Sequence, residues 1–99
     1  MIKHIVTWKL KAADESAKAT SHTAVAGALL PLASSVPGVL ALTVARNAAY
    51  PESNWDIVLV AEYATFDDLE AYQVHPEHQA AAAIVRQHVA ERASIDFEF

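Results

Sequence analysis

The sequence predicts an α+β domain of the order βαββαβ, and three observations predict it. Residues 2–11 alternate apolar and polar side chains with the two-residue period of a strand. Ile57-Val58-Leu59-Val60 runs without a polar break in the middle of the chain. The long gaps after the first and third candidate strands carry apolar residues at helical spacing, and the gap between the second and third is a loop. Ninety-nine residues with no repeat or linker are one domain, residues 1–99.

Taken in order, the first strand places Ile2, His4, Val6, Trp8 and Leu10 on one face and Lys3, Ile5, Thr7, Lys9 and Lys11 on the other. His4 is the polar member of an otherwise apolar face. Asp14 is an N-cap residue with Glu15 in the first turn, so a helix begins there. Val25, Leu29, Leu32 and Val36 recur along it. Pro31 predicts a kink or early end, because its ring presses on the carbonyl of Gly27. Pro37-Gly38 stops the helix. Residues 39–46 form the second strand, 47–54 a loop and 56–64 the third strand, whose unbroken apolar run predicts burial on both faces. Thr65 with Asp68 marks a helix start carrying Phe66, Leu69 and Tyr72 on one side. Pro76 begins a new helix that carries Ala81, Ile84, Val85 and Val89 inward. Residues 93–99 close the chain as a strand.

This is the ferredoxin-like split-βαβ plan, with an antiparallel sheet and both helices on one face. The other face needs a cover, and a second copy of the same sheet supplies one. The apolar content, 54%, suffices for a core and an interface.

Composition excludes several function classes. Seven basic against twelve acidic residues give a net charge of −5 and no basic run, which argues against nucleic acid and anionic membranes as partners. Without cysteine there are no disulfides, thiolate metal sites or thiol catalysis. The opening residues do not read as a secretory signal, and no apolar run approaches a membrane span, so the expected address is the cytoplasm.

Five residues are candidates for a site. His78 falls at the third position of its helix, where the dipole favours neutral imidazole and hence a general base. Tyr72 precedes it and offers a hydroxyl to a carbonyl or enolate oxygen. The structural alternative is that His78 caps its helix and Tyr72 packs in the core. His4 and Trp8 share the inward strand face. His75, before Pro76, either lines the pocket or caps the new helix. A six-residue step on a straight helix turns by about 240°, which would point Tyr72 and His78 apart. The break at Pro76 is expected to bring them to one cavity. Two histidines across a proline are too few for a metal, so none is expected. His22 and His88 carry no visible constellation.

The opening Met1-Ile2-Lys3-His4-Ile5-Val6, the Pro37-Gly38-Val39 turn, Asp56-Ile57-Val58-Leu59-Val60, the segment Ala71-Tyr72-Gln73-Val74-His75-Pro76-Glu77-His78 and the closing Asp96-Phe97-Glu98 together resemble the stress-responsive dimeric α/β-barrel (Dabb) family. The resemblance spans the chain, and Tyr-x-x-His-Pro-x-His is its most specific part. It implies a homodimer whose two sheets pack into a barrel, and no cofactor. A plant member similar in that segment is a polyketide cyclase; there the residues matching Tyr72 and His78 serve catalysis, and the position of His4 lies near the pocket. Wider relatives include cofactor-free monooxygenases and lactone isomerases. The implied function is a cofactor-independent cyclase, isomerase or monooxygenase acting on a small apolar carbonyl or phenolic compound. The alternative is a non-catalytic binding or structural dimer.

Overall fold

In the computed structural model, which describes residues 1–99, the alternation of the opening segment becomes β1 (Ile2–Leu10), with Ile2, His4, Val6, Trp8 and Leu10 all buried. Asp14 caps α1 (Glu15–Leu29), its carboxylate accepting the Ala17 N–H at 2.8 Å. Pro31 ends that helix's regular run and leads into a single turn, α2 (Leu32–Ser35). Val25, Leu29, Leu32 and Val36 are all buried, so the apolar stripe continues across the break. Gly38 then turns the chain at φ +90°, a conformation costly for any residue with a Cβ.

The second half follows with β2 (Val39–Arg46), β3 (Ile57–Tyr63), α3 (Phe66–Val74), α4 (Pro76–Arg86) and β4 (Val89–Glu98). The sheet order is β2-β3-β1-β4 with every pair antiparallel, the ferredoxin-like arrangement. Asp56 locks the centre of this sheet to the first helix. Its carboxylate accepts the Leu10 N–H at 2.8 Å and pairs with Lys18 at 3.1 Å, while its own N–H donates to the Trp8 carbonyl at 2.9 Å. No helix is long and apolar enough to cross a membrane.

Two expectations need correction. Val89 does not extend the last helix: the backbone turns at Gln87–His88, and Val89 opens β4, which therefore starts well before residue 93. Ile84, expected to point inward, is 43% exposed; on α3, Leu69 and Tyr72 are buried and Phe66 of the first turn is 58% exposed. The apolar run in β3 divides between two faces: Ile57 and Leu59 are sealed under the helices, whereas Val58 and Val60 lie half-buried on the opposite, uncovered face.

That uncovered face is apolar across the sheet. Ile5 lies between Val60 of β3 and Ile95 of β4, and Thr7 between Val58 and Ala93. Ile95 is 61% exposed and Phe97 40%. The edge strand β4 thus turns its apolar side chains away from the helices. Its helix-facing row is polar: Arg92, Ser94 and Asp96 stand opposite Trp8, Val6 and His4 of β1.

Candidate active site

Between the helices and the sheet, reaching the start of β4 at Val89 to Arg92, lies a cavity of about 570 Å³, of the size that takes a small organic molecule. Val6, Trp8, Leu29, Leu59 and Val85 supply most of its apolar wall. His4, Tyr72, Gln73 and His78 supply polar groups.

The backbone break at Pro76 sets the orientation of His78. Proline has no N–H, and the Glu77 N–H bonds to the His75 ring at 3.1 Å instead of the carbonyl of Gln73. The Gln73 carbonyl is left free and accepts from His78 Nδ1 at 3.1 Å. This bond fixes the tautomer with the proton on Nδ1 and leaves the lone pair on Nε2, which no protein group engages. The turned helix brings the His78 ring to 4.5 Å from that of Tyr72, centroid to centroid. Burial holds His78 below the ordinary histidine value. The Gln73 bond opposes that shift, and the neighbouring His4, Arg92 and His75 add to it.

Tyr72 is fully buried, stacked at a tilt against Tyr63 with ring centroids 5.3 Å apart. Neither hydroxyl has a hydrogen-bond partner. The two are close enough to influence one another's ionisation, but they sit off hydrogen-bond geometry. Burial pushes the Tyr72 hydroxyl up to about 12, against a smaller pull from Tyr63. Burial also raises Tyr63, reinforced by Tyr72 and by the Asp96 carboxylate. Both are therefore donors at any physiological pH. His4, at the floor, donates its Nδ1–H to Asp96 and lies edge-on to Tyr63.

Of the five sequence candidates, the structure places His4, Trp8, Tyr72 and His78 on the cavity. His75 is not on its wall. Its ring caps α4, because a residue held extended before Pro76 points its acceptor at the free N–H groups of the new helix. The sequence reading missed Asp96 and Tyr63. Both stand beside His4 only once β1 is registered between β3 and β4, with His4 opposite Asp96 and Tyr63 opposite Ile2. No three acidic or histidine side chains converge as a metal site. His88 bonds the Ser21 hydroxyl at 3.2 Å and is not among the cavity residues.

A ferredoxin-like protomer with an uncovered apolar sheet face and a cavity under its helices belongs among the α/β-barrel proteins. The family model for the stress responsive A/B barrel domain matches residues 2–99, and the chain belongs to that family. A dimeric ferredoxin-like protein of unknown function from Bacteroides fragilis is 31% identical, with a TM-score of 0.86 over 99% of this chain and 95% of its own. A dimeric ferredoxin-like protein from Thermobifida fusca is 26% identical, with a TM-score of 0.80 over 99% and 90%. SnoaB, a cofactor-independent oxygenase from Streptomyces nogalater, shares the fold at 15% identity, with a TM-score of 0.75 over 99% and 91%. No curated protein matches the chain.

Proposed function

We propose that the chain is a homodimeric, cofactor-independent enzyme that moves a proton next to the carbonyl of a small, largely apolar compound, in the manner of a cyclase or isomerase. One observation carries this reading: a neutral His78 with a free Nε2 has its ring 4.5 Å from that of Tyr72, centroid to centroid, and the buried Tyr72 hydroxyl is satisfied by no protein group. Unpaired buried polar groups are costly and persist where function uses them. Nε2 takes the proton from carbon, the C–H electron pair moves into the carbonyl as an enolate, and the Tyr72 hydroxyl donates to the enolate oxygen. The enolate carbon then attacks a second carbonyl of the same molecule, whose oxygen takes the proton from His78 Nε2 as it becomes a hydroxyl, or, in a conjugated enolate, the distal carbon takes that proton instead.

The dimer reading rests on the apolar open face and on the dimeric state of the B. fragilis and T. fusca proteins. Such an interface is expected to bury more than about 1,000 Å² in total. Exchange of the α-protons of phenylacetone in deuterated buffer, followed by NMR, tests the chemistry. The wild type should accelerate exchange, and Tyr72→Phe and His78→Ala should each abolish the acceleration. Exchange no faster than buffer, or undiminished in both variants, refutes it.

A further inference from the structure

The chain holds three arginines. Arg46 lies away from the cavity and is paired with Glu15 at 2.6 Å. Arg86 and Arg92 line the cavity, and neither makes a salt bridge, although acidic residues outnumber basic ones twelve to seven. Both are exposed, so they stand where the cavity opens to solvent. Arg92 comes from the polar row of β4, opposite Trp8, and its guanidinium donates to the Ser94 hydroxyl at 3.3 Å. That bond steadies the group without neutralising it. Arg86 comes from the last turn of α4, on the other wall. Of the acidic groups nearby, Asp96 is bonded to His4, and Glu91, which shares the cavity lining with Arg92, faces Lys9 at 3.8 Å across the exposed edge.

We infer that the cavity takes a compound carrying a carboxylate on an apolar body, with Arg92 and Arg86 holding the carboxylate at the mouth. The inference deepens the proposed reaction by naming its substrate class and rests on that reading for the choice of cavity. The apolar wall of Val6, Trp8, Leu59 and Val85 receives the body, and the far end reaches Tyr72 and His78. A guanidinium suits this role because its planar donors match the two oxygens of a carboxylate. A single carboxylate also fits the net charge of −5 better than a polyanion, which the rest of the chain would repel.

The test compares phenylbutyrate with its neutral isostere phenylbutyramide by isothermal titration calorimetry on the full-length protein. The acid should bind about tenfold or more tightly than the amide, as charge-assisted bonds to a carboxylate imply. Arg92→Gln should bring the acid down to the amide and leave the amide unchanged, with Arg86→Gln acting in the same direction. Both side chains are exposed, so neither substitution disturbs the core. Equal binding of acid and amide, wild-type affinity in both arginine variants, or no binding of the acid overturns the inference. The outcomes separate it from the catalytic reading. An acid preference that survives in His78→Ala supports the arginine pair even if no proton exchange is found. Equal binding of acid and amide leaves the cavity and its chemistry standing while the charge argument falls.

Discussion

Replacing Tyr72 by Phe should make the protein more stable while removing its activity. The Tyr72 side chain is fully buried and its hydroxyl has no partner. A buried unsatisfied hydroxyl costs about 1–3 kcal/mol, and a Phe ring fills the same space without it. The surrounding side chains can relax toward the hydroxyl, which places the expected gain near the lower end, about 1 kcal/mol. In a domain of this length that raises the melting temperature by roughly 4–8 °C. The assay is thermal and urea unfolding of wild type and variant at one protein concentration, since melting of a dimer depends on it. A hydroxyl that packs and bonds in the ordinary way would give the opposite sign, a loss of about 0.5–1.5 kcal/mol. The sharpest form of the test adds Tyr63→Phe and the double variant. If the two hydroxyls bond one another, each single change strands its neighbour and costs stability, and the double change recovers it. That strongly coupled cycle, or any destabilisation by Tyr72→Phe, would refute the account of an unpartnered donor held for substrate.

Acidification should destabilise the fold through His78. Burial holds its folded value below the ordinary 6.5, so the unfolded chain takes the proton first as pH falls. The contribution is complete above that ordinary value and is lost as pH drops through the folded one. Urea melts between about pH 5 and 8 should show a slope that flattens in His78→Asn. Val60→Glu places a charge at the centre of the open sheet face, between Ile5 and Thr43, and should yield a monomer by light scattering at micromolar concentration. A dimer of unchanged mass would place the interface elsewhere. Thr65→Ala removes the oxygen that accepts the Asp68 N–H at 3.2 Å and should cost about 1 kcal/mol in urea unfolding, with the dimer intact.

Local signals in this sequence carried as far as local physics reaches. The alternation in Ile2–Leu10, the Asp14 and Thr65 caps and the break at Pro76 each depend on a few neighbouring residues, and each was legible. The start of β4 was not, because Val89 continues the helical spacing of Ala81 and Val85, and only the turn at Gln87–His88 shows that the helix has ended. Asp96 and Tyr63 were hidden for another reason. Asp96 was marked only as part of the closing family segment and Tyr63 not at all, and their place beside His4 is set by strand register between segments far apart in the chain. His75 was ambiguous locally, because an acceptor before Pro76 serves a cap and a pocket equally well. The competition was decided by the free Glu77 N–H one peptide beyond the proline.

The polarity of β4 helps keep the cavity open at its Arg92 end. A strand lying under helices ordinarily turns its apolar residues toward them, as β1 does with Val6 and Trp8. In β4 the pattern is inverted, with Ala93, Ile95 and Phe97 outward and Arg92, Ser94 and Asp96 inward. If α3 and α4 closed over that row, they would bury a guanidinium and a carboxylate, at a cost of several kcal/mol per charge. They stop short of it, and the space that remains is bounded by small side chains such as Ala82 and Ala90. The same inversion puts Ile95 and Phe97 on the open face, where water would otherwise meet them. One frame of alternation in a single edge strand thus helps hold the site open on one side and supplies an apolar surface on the other. Shifting that frame by one residue would fill the first and spoil the second.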